Sequence, residues 1–382
     1  MKTISLDWFR TRFIFFPFAF LAVSIISTLA LTQEVPREVM VRDAEHIVAV
    51  ENVCAWPGIV LRPDGVIAAA LFNKPSHGLM EGDVDCYLSA DGGRTWEYAG
   101  TPSPHEPDAI RMNHAIGVGT DGALIVLCSG WGGRGYRERI LPVMVSRSQD
   151  SGRTWERSGG VLLTPGIPNL IPFGTIIRVD AKTLAVSLYD AATSEIYNRA
   201  YLFFSDDDGL TWKNPVIIGG KDVFFHPEAG NFNETAVLCT ERNHLVAVAR
   251  TFIPQADLRL LLSENRGRTW TIADNVIGGA ITLPSEHPGN LLRLNDGRIL
   301  LTYGIRWGDH GIGARISADG GVTWGPPLRV ISYGGNDNGY PSSVQLDDGT
   351  VVTAFYSDNN RYHRGYYMGV IRWKIPAEYR RR

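Results

Sequence analysis

The chain has 382 residues, with 37 Lys and Arg against 40 Asp and Glu and a formal net charge of −3. That balance excludes a whole-chain nucleic-acid footprint and a polyanion mimic, and the length allows a sizeable core. The 41 glycines, 10 tryptophans and 14 tyrosines favour short strands joined by tight turns, because glycine supplies turn dihedrals and aromatics pack well on pleated sheets.

The first element is an export signal. Lys2, Arg10 and Arg12 precede 19 uncharged residues from Phe13 to Leu31, and Thr28-Leu29-Ala30 offers a small-residue cleavage site. An uncleaved membrane anchor is the alternative, since 19 residues are enough to span a bilayer. Residues 1–33 are assigned to this segment and 37–382 to the folded body, which both readings place outside the cytoplasm. Cys54, Cys86, Cys128 and Cys239 form no CxxC pair, so neither a zinc site nor any other metal site or cofactor is expected, and buried free thiols are the simpler reading.

From residue 58 onward one pattern recurs, an apolar run, a turn and a second apolar run. It reads GIVLRPDGVIAAALF, AIGVGTDGALIVLCS, GTIIRVDAKTLAVSLY, TAVLCTERNHLVAVAR, NLLRLNDGRILLTYG and SSVQLDDGTVVTAFYS. These are six β-hairpins, four of them with Asp-Gly turns at Asp64-Gly65, Asp121-Gly122, Asp296-Gly297 and Asp348-Gly349. Between the hairpins stand five octets of the form Ser-x-Asp-x-Gly-x-Thr-Trp, opening at Ser89, Ser148, Ser205, Ser263 and Ser317, with Asn265 replacing Asp in the fourth. Their spacings of 59, 57, 58 and 54 residues make each repeat one structural unit. The expected fold is an all-β, six-bladed β-propeller, with a strand from residues 37–50 completing the octet-less last blade and closing the ring. The octets are structural: the Asp accepts backbone N–H groups of its own turn, the Gly permits the turn, and the Trp packs between sheets.

Repeated octets of this kind resemble the Asp-box, or BNR, repeats of the sialidase superfamily, from about residue 45 to the end. The axial residues follow from the repeat, nine positions before each hairpin turn: Trp56, Asn113, Phe173, Glu234, Pro288 and Tyr340. The resemblance implies a Tyr nucleophile, a Glu beside it as base and a loop Asp as acid/base. Tyr340 and Glu234 stand at the first two positions, and Arg250 matches the second arginine of the family's carboxylate-binding triad. A phenol with a pKa near ~10 needs a neighbouring carboxylate to take its proton.

The departures are equally informative. The family's first arginine is replaced by Ala55-Trp56-Pro57, and the third, expected at Gly311, is missing, with Arg306 and His310 close by. Two lost arginines disfavour sialic acid, and Trp56 suggests a sugar stacked on an aromatic face. The loop NKPSHGLMEGDVD supplies Asp83, then Glu81, then His77 as acid/base candidates. A second loop brings Arg111, Asn113 and His114 to the axial end, and a third His226 and Glu228. The sequon at Asn233 lies in the presumed pocket and is discounted.

The expected activity is that of an exported, retaining exo-glycosidase acting on a terminal sugar other than sialic acid. A glycan partner, no nucleic acid, a possible membrane tether and a monomer accompany it. Two alternatives are a non-catalytic carbohydrate-binding propeller and a polysaccharide lyase in which Tyr340 and a pocket His act on a uronate held by Arg250.

Overall fold

Each Asp-Gly turn adopts the positive φ that its sequence demands: Gly65 (81°), Gly122 (83°), Gly297 (88°) and Gly349 (81°). The computed structural model describes residues 38–158, 167, 170–191, 199–220, 231–241, 243–251, 257–273 and 281–379. The segment 1–33, His226 and Glu228 lie outside them.

The described residues form an all-β propeller arrangement. Three antiparallel sheets have four strands each, running outward from Cys54–Leu61, Phe232–Glu241 and Asn338–Gln345. One sheet has eight strands in two antiparallel runs of four. These meet where Ala109–Val118 and Leu170–Arg178 pair in parallel, Ala115 beside Gly174 and Ile116 beside Thr175. Gly117 makes that approach possible, since a Cβ there would lie 2.4 Å from Cβ of Ile176. The remaining sheet, built outward from Glu286–Arg293, has a fifth strand, Val39–Met40, which joins Leu328–Ser332 in parallel.

The strand expected near residues 37–50 is Glu45–Glu51, which pairs antiparallel with Tyr367–Trp373 and completes the last sheet. Residues 45–51 and 367–373 thus share one sheet. The inner strands Cys54–Leu61, Ala109–Val118, Leu170–Arg178, Phe232–Glu241, Glu286–Arg293 and Asn338–Gln345 neighbour one another in turn, and the last returns to the first. At that return Ile59 N donates to Ser342 Oγ at 2.9 Å, and one step earlier in the ring Ser343 N donates to Asn290 Oδ1 at 3.0 Å.

The core lies between sheets, and the octet tryptophans help fill it. Trp155 packs with Val60, Ala68 and Ala70 of the preceding sheet, and Trp270 likewise with Ala185 and Leu202. Each octet is a turn between the two outer strands of its sheet. In the first, Asp91 Oδ1 accepts from Thr95 N (2.9 Å), Asp91 Oδ2 from Thr95 Oγ1 (2.7 Å), Gly93 N donates to Ser89 Oγ (2.8 Å), and Trp96 Nε1 donates to Gly93 O (3.1 Å). Asn265 keeps this wiring with one reversal, because its amide donates to Thr269 Oγ1 (2.7 Å) where the carboxylates accept.

Candidate active site

Every inner strand loses regular register at the same level. The shifts fall between Cys54 and Gly58, Arg111 and Asn113, Phe173 and Ile177, Phe232 and Thr235, Glu286 and Gly289, and Gly339 and Ser342. Such bulges re-aim side chains, and here they sit at the residues counted back from the turns. Trp56 and Tyr340 adopt φ of 63° and 52° there, a conformation costing an aromatic residue about 1–3 kcal/mol that the surrounding ring has to hold in place.

Trp56, Asn113, Phe173, Glu234 and Tyr340 all line one small axial cavity, and Gly289 lines it beside Pro288. At its wall the Tyr340 hydroxyl donates to Glu234 Oε1. Arg250 Nη1 donates to Glu234 Oε2 at 2.5 Å and to Tyr340 Oη at 3.3 Å. Tyr340 and Glu234 are buried. Burial first, and then the charge of Glu234, raise the Tyr340 phenol well above its ordinary range, against the pull of Arg250 and Arg306. Burial opposes the charge of Arg250, yet Glu234 outweighs it and keeps the guanidinium pKa raised. The phenol therefore keeps its proton, with a carboxylate in place to receive it.

The Trp56 ring stands edge-on to Tyr340, centroids 5.7 Å apart. Arg306 lies over the Tyr340 ring, 5.7 Å from its centroid, so one cation near the missing third position does reach the centre. It is already paired: Arg306 Nη2 donates to Asp337 Oδ1 at 3.2 Å. Asp337 Oδ1 also accepts from Tyr356 Oη (2.7 Å), and Oδ2 accepts from His77 Nδ1 (2.6 Å) and Tyr366 Oη (3.0 Å). Burial alone would raise the Asp337 carboxyl, but His77 and the other donors hold it down at about 2.

The other loop candidates are brought elsewhere. Asp83 Oδ1 accepts from His105 Nδ1 (2.6 Å) and His105 N (2.8 Å), and Asp83 Oδ2 accepts from Asn73 (3.1 Å). Glu81 lies 3.5 Å from Nε2 of the same His105. Neither lines the axial cavity. Burial would raise the Asp83 carboxyl, but the His105 bonds lower it.

Arg111 is engaged inside its own sheet, by Glu106 and by the carbonyls of Cys128 (3.2 Å) and Pro142 (2.7 Å). His310 is held by Gly335 O at 2.5 Å. Asn113 lines the cavity and accepts from Trp131 Nε1 at 3.1 Å. His114 also lines it, its ring nitrogens facing the carbonyls of Met112 (3.1 Å) and Ala70 (2.9 Å). Arg111 and His310 thus each find partners within the fold.

Sequence reasoning missed Asp337, Tyr356, Tyr366 and His287. His287 is buried and held neutral, at about 2, by burial and then by the nearby Arg250 and Arg306. Its Nδ1 has no hydrogen-bond partner among the described residues. Asp337 carried one signal, standing three residues before Tyr340 in NDNGY. Cys54, His77 and Asp337 bring potential metal-ligand atoms within 4.8 Å of one another. The Asp337 oxygens already accept four hydrogen bonds there, and burial raises the Cys54 thiol far above its usual range. A thiol held protonated and a carboxylate already saturated suit a hydrogen-bonded network better than a metal.

No curated protein sequence matches the chain. Among solved structures it is similar to a protein of unknown function from Dyadobacter fermentans, at 24% identity and a TM-score of 0.70, covering 90% of this chain and 100% of that one. It is also similar to the Trypanosoma rangeli sialidase in complex with 2,3-difluorosialic acid, at 16% identity and a TM-score of 0.64, over 87% of this chain and 59% of that one. The Penicillium chrysogenum α-L-arabinanase complexed with arabinobiose shares 14% identity and a TM-score of 0.56, over 85% and 97% of the two chains. These likenesses concern the fold. Residues 67–353 match the BNR repeat-like domain, and the chain belongs to that family.

Proposed function

We propose that the chain is an exported, retaining glycoside hydrolase built on a six-bladed propeller, cleaving a terminal sugar other than sialic acid. The blade count rests on the inner strands, with the eight-stranded sheet taken as two blades bridged at Ala115 and Gly174. The observation that carries the chemistry is the hydrogen bond from the Tyr340 phenol to Glu234. As a substrate's anomeric carbon approaches Tyr340 Oη, Glu234 takes the phenolic proton and the oxygen forms the glycosyl bond while the glycosidic bond breaks and its electron pair leaves with the departing sugar oxygen. Arg250 fixes Glu234 in the orientation that receives that proton.

Arg250 and Arg306 are each matched by a carboxylate, Glu234 and Asp337, so the site's fixed charges cancel. A carboxylate-bearing sugar would have to displace one of these pairs. Two absent triad arginines remove about 3–6 kcal/mol of charge-assisted binding, roughly a hundred- to ten-thousand-fold in affinity. Sialosides are accordingly expected to turn over very poorly. An uncharged sugar face stacked on Trp56 fits better. Localisation outside the cytoplasm, a possible tether through residues 1–33 and a monomeric state belong to the same reading and rest on the sequence.

A lyase reading is favoured by one observation, that Arg250 donates to the Tyr340 oxygen, as a guanidinium stabilising a proton-abstracting phenolate would. A screen of the purified protein against sialosides, neutral glycosides and uronates separates the readings, with Tyr340→Phe alongside. A saturated reducing sugar, lost in Tyr340→Phe, supports hydrolysis. An unsaturated product absorbing in the ultraviolet supports elimination, and binding without turnover supports a carbohydrate-binding module. Efficient sialoside cleavage would contradict the substrate assignment.

A further inference from the structure

The glycosidase reading leaves one role unfilled, the group that gives a proton to the departing sugar oxygen. Asp83 and Glu81 are committed to His105. Asp337 is nearer to Tyr340 in the network, yet it is ionised and its oxygens are saturated by Arg306, Tyr356, Tyr366 and His77. A carboxylate so placed orients a partner instead.

We propose that His77, held by Asp337, is the general acid/base of this site. The proposal rests on the glycosidase reading and assigns its missing proton donor. Asp337 only accepts, so the neutral ring of His77 carries its proton on Nδ1, and Nε2 has no hydrogen-bond partner among the described residues. The His77 side chain is 42% exposed. The ring stands edge-on to Trp56 at 5.0 Å, and Trp56 is in turn edge-on to Tyr340 at 5.7 Å. Trp56 therefore touches both the phenol that lines the cavity and His77, which stands outside that lining. Two hydrogen bonds brace the loop that carries His77, Leu79 N donating to Ser76 Oγ (2.9 Å) and Arg137 Nη1 to Gly78 O (3.3 Å). The charged and titratable groups around the ring are Asp337, with Arg306, Tyr356 and Tyr366 behind it, and the buried thiol of Cys54.

The protons balance over the two halves of the reaction. In the first, imidazolium Nε2–H protonates the glycosidic oxygen as its bond to the anomeric carbon breaks and the electron pair stays on the leaving oxygen. Tyr340 Oη forms its bond to that carbon while its proton passes to Glu234. In the second, neutral Nε2 takes a proton from water, whose oxygen bonds to the anomeric carbon as the bond to Tyr340 breaks, and Glu234 returns the proton to the phenolate. Asp337 is a positioning residue throughout.

The test uses aryl glycosides of the sugar found in the screen, with leaving phenols from activated to poor, on the wild type, His77→Ala, His77→Gln, Asp337→Asn and Tyr340→Phe. For poor leaving groups His77→Ala and His77→Gln should lose about 10²- to 10⁴-fold in kcat/KM, while activated ones keep near-normal glycosylation rates. Asp337→Asn should lose less, and lose it on the same poor leaving groups, because His77 is then no longer held by its carboxylate. Equal losses for all leaving groups in both His77 variants, or no loss, would overturn the role of His77. If the wild type is active and Tyr340→Phe is dead, the glycosidase reading survives that result. A wild type inactive on every glycoside overturns both.

Discussion

A buried phenol keeps its proton unless something nearby takes it, and Glu234 is the group in reach of Tyr340. The Glu234 carboxylate in turn depends on Arg250. Breaking a buried pair strands a charge, so Arg250→Met should destabilise the protein by about 3–5 kcal/mol in urea unfolding. Glu234→Gln combined with Arg250→Met should recover much of that loss, and a double variant as unstable as Arg250→Met alone would contradict the pairing. Trp56, Glu234 and Tyr340 were legible in the sequence because the repeat makes the axial level countable, and Arg250 because it matches the second arginine of the resembled family. Asp337 was not, because its link to His77 crosses 260 residues and follows only from ring closure. For a related reason the loop position of Asp83 is readable in the sequence, but its hydrogen bonds to His105 are not.

At the scale of the element, the octets tie function to stability only indirectly. They hold the outer strands, and the outer strands hold the bulged inner ones. Asp319 Oδ1 accepts from Thr323 N at 2.9 Å and from Ser317 Oγ at 2.8 Å. Asp319→Ala should cost about 1–2 kcal/mol, and Asp319→Asn less, since Asn265 shows that an amide preserves the turn. An equal cost for both, measured by urea unfolding, would contradict that wiring. Burial alone would raise Asp91, Asp207 and Asp319, but the hydrogen bonds of their turns lower all three. Folded pKa values below the unfolded value of about 4 mean stability that is present above pH 4 and lost as pH falls through the folded values. The Tm should therefore drop between about pH 4 and 2, where Asp337 also becomes protonated. The octets were fully legible in sequence as turns. The bulges were not, because no residue type marks them and bulky Trp56 and Tyr340 occupy conformations their chemistry disfavours.

For the whole molecule, ring closure is the organising constraint. Glu45–Glu51 pairs with Tyr367–Trp373, and removing residues 1–51 exposes that edge. Such a truncation should aggregate or lose cooperative unfolding, whereas one ending at residue 37 should retain it; light scattering and calorimetry distinguish them. Alkaline pH should also weaken the fold. Burial first of all raises Tyr340, Tyr356, Tyr333 and Tyr303 above their ordinary value, so the unfolded chain loses protons that the native one keeps. Stability is then complete below about pH 10 and falls above it. The repeat period made the all-β propeller legible, while the parallel strand Val39–Met40 left no periodic signal to find. The most direct measurement is mass spectrometry of the protein after reaction with a panel of activated fluoro-sugars that trap glycosyl-enzymes. A single sugar on the peptide containing Tyr340, absent in Tyr340→Phe, is the predicted result. A sugar attached to another residue would contradict Tyr340 as the nucleophile.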